Sequence, residues 1–163
     1  VSVELSGAPQ QGGPRFHRQP LLTDVLDAAL PVSHPLAGKR AIELTELAGA
    51  DWVIGNPGSS CHDVVVVACA TVGFTPRAVH HTSDWAAVAS LVRDSEAVAL
   101  MPRLAQSLVP DGIVVIPLHG STAARHGFAA TRRGNETAPT TRRTLQRLTE
   151  AANAVGGLSP ASP

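Results

Sequence analysis

Leu21 to Gly38 reads LLTDVLDAALPVSHPLAG, and this stretch decides the fold. Val25 to Val32 has the composition of one buried strand, which ends at Pro31. A compact turn follows on His34-Pro35-Leu36-Ala37-Gly38. Proline restricts the residue before it to extended backbone and cannot donate to a sheet ladder, so Pro35 stops the strand. Thr23, Asp24 and Asp27 are polar and the residues behind them are apolar. That change suits a segment leaving one packed unit and entering another, with the carboxylates expected on the strand's outer, solvated edge.

Val1 to Leu5 alternates weakly as a strand, and Ser6 to Gln19, rich in Gly, Pro and Gln, reads as a loop or disordered connection. Ile42 to Ala48 fits a short helix with Ile42, Leu44, Leu47 and Ala48 inward. Trp52 to Gly55 is a short strand closed by Asn56-Pro57-Gly58. Cys61 to Val72 reads as a helix, with Ser60 and Asp63 spaced as a capping box and Gly73 as its stop. Arg77 to His81 is the next strand. Thr82-Ser83 cap a helix from Asp84 to Arg93 whose buried stripe is Trp85, Val88, Ala89 and Val92. Ala97 to Met101 is a strand, Leu104 to Leu108 a short helix, and Ile113 to Leu118 a strand with His126 to Thr131 as its partner. Pro139 opens a last helix carrying Leu145, Leu148, Ala152 and Val155 on one face, stopped by Gly156-Gly157. Strand and helix alternate through the middle, which predicts an α/β fold with a mostly parallel sheet covered by helices.

Composition narrows the function. Hydrophobic residues make up 44% of 163, enough for a core built from aliphatic side chains, since there are three Phe, two Trp and no Tyr. Thirteen basic and thirteen acidic side chains leave no net charge, against the clustered positive charge of a nucleic-acid surface. Arg132-Arg133 and Arg142-Arg143 read as a solvated face. Cys61 and Cys69 sit eight apart on one predicted helix, the wrong geometry for a mutual disulfide, which favours a reducing compartment. No apolar run is long enough to span a membrane.

Two loops could carry binding: Asn56 to Ser60 and His81 to Trp85. Each follows a strand and opens a helix. Ligands of open α/β sheets collect at the carboxyl ends of strands, and helix N-termini offer N–H groups to carboxylate or phosphate. Ser59, Ser60, Thr82 and Ser83 add hydroxyls. Helix capping alone also explains Ser and Thr at these positions. Cys61-His62 are adjacent on a helix and His80-His81 on a strand, so neither pair shares a face for catalysis or metal binding. The histidines show no ligand spacing, and there is no Gly-rich phosphate loop or nucleophile elbow. The expectation is therefore no catalytic residues, no metal, no cofactor and no enzyme.

Leu30-Pro31 followed by His34-Pro35-Leu36-Ala37 resembles the strand and turn that open the second lobe of the effector domain in LysR-type transcriptional regulators. Leu44 to Ala48 with Trp52-Val53-Ile54 is similar to that family's L-x-x-L-A and W-I. Cys69 with Gly73-Phe74-Thr75-Pro76 is similar to its C-x-x-x-G-F-x-P. Asp84 to Val92 with Ala99-Leu100-Met101-Pro102 is similar to its V-x-x-G-x-G-V-A-x-L-P, except that Ser95 and Ala97 stand in place of the two glycines. The resemblance runs from about Leu21 to Ala154.

It implies a periplasmic-binding-protein-like (type II) fold: one lobe over 23–111, and a remnant of the other from 1–22 and 112–163. The implied function is a cytoplasmic effector-binding domain that takes a small, anionic effector between lobes. It acts as a homodimer or tetramer, and reaches DNA only through an N-terminal helix-turn-helix expected to lie outside this chain. The implied ligand-facing positions are Leu30, Pro31, Ser59, Ser60, Thr82 and Ser83, with Trp85 and Pro102 as apolar walls. A periplasmic solute-binding protein of a transporter is the alternative on the same fold. An incomplete first lobe would leave apolar surface on Ile113 to Leu118 and the last helix for a partner to cover.

Overall fold

The structure is a computed structural model; it describes the backbone of residues 2–6 and all of residues 15–120 and 123–155. The expected stop at Gly156-Gly157 and the tail lie outside the described residues. The chain divides into two compact units, Val1–Asp24 with Arg125–Pro163, and Val25–Ala124.

The second unit holds the α/β alternation. Strand β3 (Asp51–Ile54) is followed by helix α1 (Ser60–Thr71), β4 (Arg77–His81), α2 (Trp85–Ser95) and β5 (Ala99–Pro102). β3 and β4 pair in parallel, and Trp52 forms a further parallel bridge to Val98. The antiparallel pairs come from the long strand β2 (Phe16–Pro31), which enters this unit at Val25. It sets Leu26 to Ala29 opposite β5, and Ala28 to Pro31 opposite β6 (Ile113–Ile116). Trp52, Leu30, Leu47, Cys69 and Leu26 are sealed in one apolar cluster; Val88, Ala89 and Val92 of α2 pack with Met101 and Ile113 in another. The predicted stripe of α2 is thus buried, with Trp85 half-exposed. Ile42 to Ala48 is shorter than expected: Leu44–Leu47 form one 3-10 turn, and Ala48 faces solvent.

In the first unit, β1 (Ser2–Ser6) runs antiparallel to β7 (Ala124–Arg132), which lies beside β2. Helix α3 (Pro139–Ala154) lays Leu145 and Ala152 against Leu21 and Ala129. Four expectations need correction. Phe16 to Gln19 belongs to β2 and is not a loop. The His126–Thr131 strand pairs with β1 and not with Ile113–Leu118, which takes β2. Ile113 and Ile116 are buried within the chain, as are Leu145 and Ala152, so those faces are mostly covered internally, while Val155 at the end of the last helix is 50% exposed.

Asp24 and Asp27 are at 0% and 4% exposure, not on a solvated edge. A buried carboxylate needs a charged partner, and each has one. Asp24 accepts from Arg125, itself 4% exposed. Asp27 accepts a forked pair from Arg103 at 2.8 and 3.1 Å and a third bond from the Gln106 amide at 2.8 Å.

Candidate functional site

Parallel pairing puts the carboxyl ends of β3 and β4 side by side, so the two predicted loops become neighbours. Three hydrogen bonds stitch them. Thr82 N donates to Ile54 O at 3.0 Å, Asn56 N to Ser83 Oγ at 3.3 Å, and His81 Nδ1 to the Gly55 carbonyl at 3.3 Å.

The helices that leave these loops are capped one residue away from expectation. Ser59, not Ser60, caps α1: its Oγ accepts from His62 N at 3.2 Å. Asp84, not Thr82 or Ser83, caps α2: its Oδ1 accepts from Ala87 N at 2.9 Å. Thr82 Oγ1 instead accepts from Asp84 N at 3.2 Å. The two helix ends therefore differ electrically. That of α2 is capped by a carboxylate, whereas that of α1 is capped by a neutral hydroxyl, with the Asp63 carboxylate of its first turn 3.1 Å from the His62 ring.

Gly55 sits where the loops meet. A Cβ there would stand 2.7 Å from Ser59 Oγ and 2.8 Å from His62 N. Only glycine lets the strand end approach the helix end this closely.

A small open pocket lies over this junction, lined by Thr82, Ser83, Trp85, Cys61 and Gly55, with Val53, Ile54, Val65, Val88 and Leu100 as its apolar wall. The hydroxyls of Ser59, Ser83 and Thr82 each spend an acceptor lone pair on a backbone N–H. A hydroxyl that accepts in this way keeps its own proton to donate. The pocket has room for about one water molecule, so the Thr82 and Ser83 hydroxyls on its lining, with Ser59 on the adjoining helix end, offer donors to anionic oxygens without enclosing a hydrocarbon part.

Of the expected residues, the structure gathers Thr82, Ser83 and Trp85 at the pocket, with Ser59 and Ser60 on the adjoining helix end. Leu30 and Pro31 lie at the far end of β2, buried opposite Val114 and Ile113. Pro102 is fully buried opposite Leu26. None of those three lines the pocket. Gly55 and Cys61 do; the sequence reading weighed Cys61 only as a catalytic thiol and took Gly55 only as the end of a strand, although a glycine directly before the Asn56 turn was the available signal. On the buried face of α1, burial pushes the Cys69 thiol up to about 11. Among the described residues, no group of three or more His, Cys, Asp or Glu side chains could hold a metal ion, and no helix is long and apolar enough to cross a membrane.

Residues 5–153 match the LysR substrate binding domain family. The uncharacterized HTH-type transcriptional regulator YwbI of Bacillus subtilis (strain 168) is 27% identical over 104 residues, covering 63% of this chain and 35% of that protein. The HTH-type transcriptional regulator ShiR of Corynebacterium glutamicum (strain R) is 28% identical over 133 residues, covering 79% of this chain and 44% of that protein. The chain thus spans less than half the length of these curated relatives. Among solved structures, the BenM effector binding domain with its effector benzoate has a TM-score of 0.80 at 20% identity, over 100% of this chain and 73% of its own. The effector binding domain of QuiR in complex with shikimate has a TM-score of 0.76 at 15% identity, over 93% of this chain and 72% of its own. These likenesses give the α/β architecture the periplasmic-binding-protein-like type II fold that the sequence led us to expect. Together with a family match that runs through both units, they place the chain plainly: it belongs to the LysR substrate-binding domain family.

Proposed function

We propose that this chain is the effector-sensing part of a LysR-type transcriptional regulator. Its second unit is one effector-binding lobe and its first unit is part of the other. It takes up a small carboxylate-bearing molecule and passes the result, through a rearranged dimer or tetramer, to an N-terminal DNA-binding domain in the cytoplasm. A ligand that binds one conformation better than another shifts the population by that difference, which is all such a sensor requires.

The observation that carries this reading is the stitched junction of the 55–60 and 81–85 loops, where three hydroxyls, one of them the Ser59 cap of α1, keep protons to donate. Benzoate and shikimate, held by two solved relatives, are both carboxylates, which supports the same ligand chemistry here.

A panel of small carboxylates, beginning with benzoate and shikimate, tests the proposal by calorimetric titration. One of them should bind in the micromolar to millimolar range. Replacing Thr82 by Val and Ser83 by Ala should weaken it about tenfold or more, with a loss of about 1–3 kcal/mol in stability from the two backbone hydrogen bonds removed. Equal affinity in that double variant refutes the site.

A further inference from the structure

The chain is neutral as a whole, but its two units are not. Val1–Asp24 with Arg125–Pro163 carries eight arginines against four carboxylates, while Val25–Ala124 carries five cations against nine carboxylates. The excess in the first unit is not spread evenly. Arg125 is taken up by Asp24, and Arg147 lies on Glu150. Arg132 ends β7 and Arg133 follows it, and Arg133 N donates to Arg15 O at 3.1 Å, which brings in an arginine more than a hundred residues away in sequence. Arg15, Arg132, Arg133 and Phe16 line one open concavity, with Phe16 41% exposed.

Glu136 already answers part of this positive field. Its carboxyl is held below the usual range, first by its own backbone N–H, then by that of Gly134 and by the charges of His17 and Arg133. Arg15 and Arg132 remain to face an outside anion. A guanidinium presents a planar fork that matches phosphate, and an exposed aromatic ring offers a flat apolar wall beside it.

We propose that this concavity is a second binding site, for a small organic phosphate: two guanidiniums take the doubly charged head and Phe16 takes the organic part. The site lies wholly in the first unit, shares no residue with the hydroxyl-lined pocket of the second, and does not depend on the function proposed for that pocket.

Phenyl phosphate and inorganic phosphate, titrated calorimetrically into the full chain, test the proposal. Phenyl phosphate should bind, and Arg15→Gln with Arg132→Gln should weaken it about a hundredfold, near tenfold for each charged donor pair removed. Phe16→Ala should bring phenyl phosphate down to the affinity of inorganic phosphate. The pair Arg142→Gln and Arg143→Gln removes the same charge from α3 and should leave binding unchanged, as should Thr82→Val with Ser83→Ala. A cooperative melting transition in each variant confirms folding.

Four results overturn the proposal: no binding of phenyl phosphate, equal binding in the Arg15 and Arg132 variant, equal loss in the α3 pair, or displacement by short duplex DNA with a steep salt dependence. The last would mark a surface for a polyanion in place of a small-molecule site.

Discussion

Replacing Arg125 by Met should destabilise the protein severely. Asp24 is at 0% exposure, and Arg125 at 4%, so no solvent screens either charge. With Arg125 gone, the Asp24 carboxylate stays sealed beside an apolar side chain of similar length. Breaking a buried pair from one side costs about 3–5 kcal/mol, because the surviving charge is left uncompensated. For a chain of this size each kcal/mol lowers the melting midpoint by about 2–4 °C, so the drop should be about 6–20 °C. Replacing both partners, Asp24 by Leu and Arg125 by Met, removes the stranded charge and should recover most of that loss. Calorimetric melting of the two single variants and the double variant closes the cycle. A single Arg125→Met variant within about 1 kcal/mol of wild type, as for a surface pair, would refute the reasoning.

Gly55→Ala should destabilise by about 1–3 kcal/mol, since the new Cβ meets the His62 backbone at 2.8 Å and forces the α1 cap outward; an unchanged urea midpoint would contradict this. Glu96 holds the left-handed conformation (φ 57°) that ends α2, so Glu96→Gly should raise stability by about 1 kcal/mol in the same titration. A thiol reagent at pH 8 should find Cys61, which is half-buried, and leave Cys69 silent until the chain is denatured. Burial lifts the Cys69 thiol from 9.0 to about 11 in the folded state, so its contribution to stability is complete below pH 9 and falls away as pH rises toward 11.

What the sequence made legible was local. Val88, Ala89 and Val92 repeat at helical spacing, and Asn56-Pro57-Gly58 punctuates the chain between β3 and α1, so the parallel core of the second unit could be read directly. The hydroxyl-bearing loops followed from the same logic. The misreadings came from long-range partners. Phe16 to Gln19 is strand because β7 lies beside it, and nothing in its Gln- and Pro-flanked sequence says so. Asp24 and Asp27 are charges that point to solvent unless Arg125 and Arg103, 101 and 76 residues on, are known to meet them. The caps slipped by one residue because Ser59, Ser60, Thr82, Ser83 and Asp84 are all competent cap residues, and only the backbone decides between neighbours. At Ser95 to Ala97, where the family's two glycines are absent, Glu96 itself adopts the positive φ, while Ala97 is fully buried.

The passage of β2 from one unit to the other makes Val25–Ala124 a cassette set into the first unit, and its two ends touch: Leu26 N donates to Ala123 O at 2.9 Å. Bringing the ends of a flexible 100-residue segment together costs about 4 kcal/mol in the logarithmic part of the chain entropy alone. The first unit, whose strands β2 and β7 come from opposite sides of that segment, bears this cost if it assembles first. Once the cassette has folded, its joined ends deliver Asp24 and Arg125 to one another, and the first unit closes as though its chain were continuous. The connectivity therefore lowers the entropic cost of closing the interrupted unit when the contiguous one folds first.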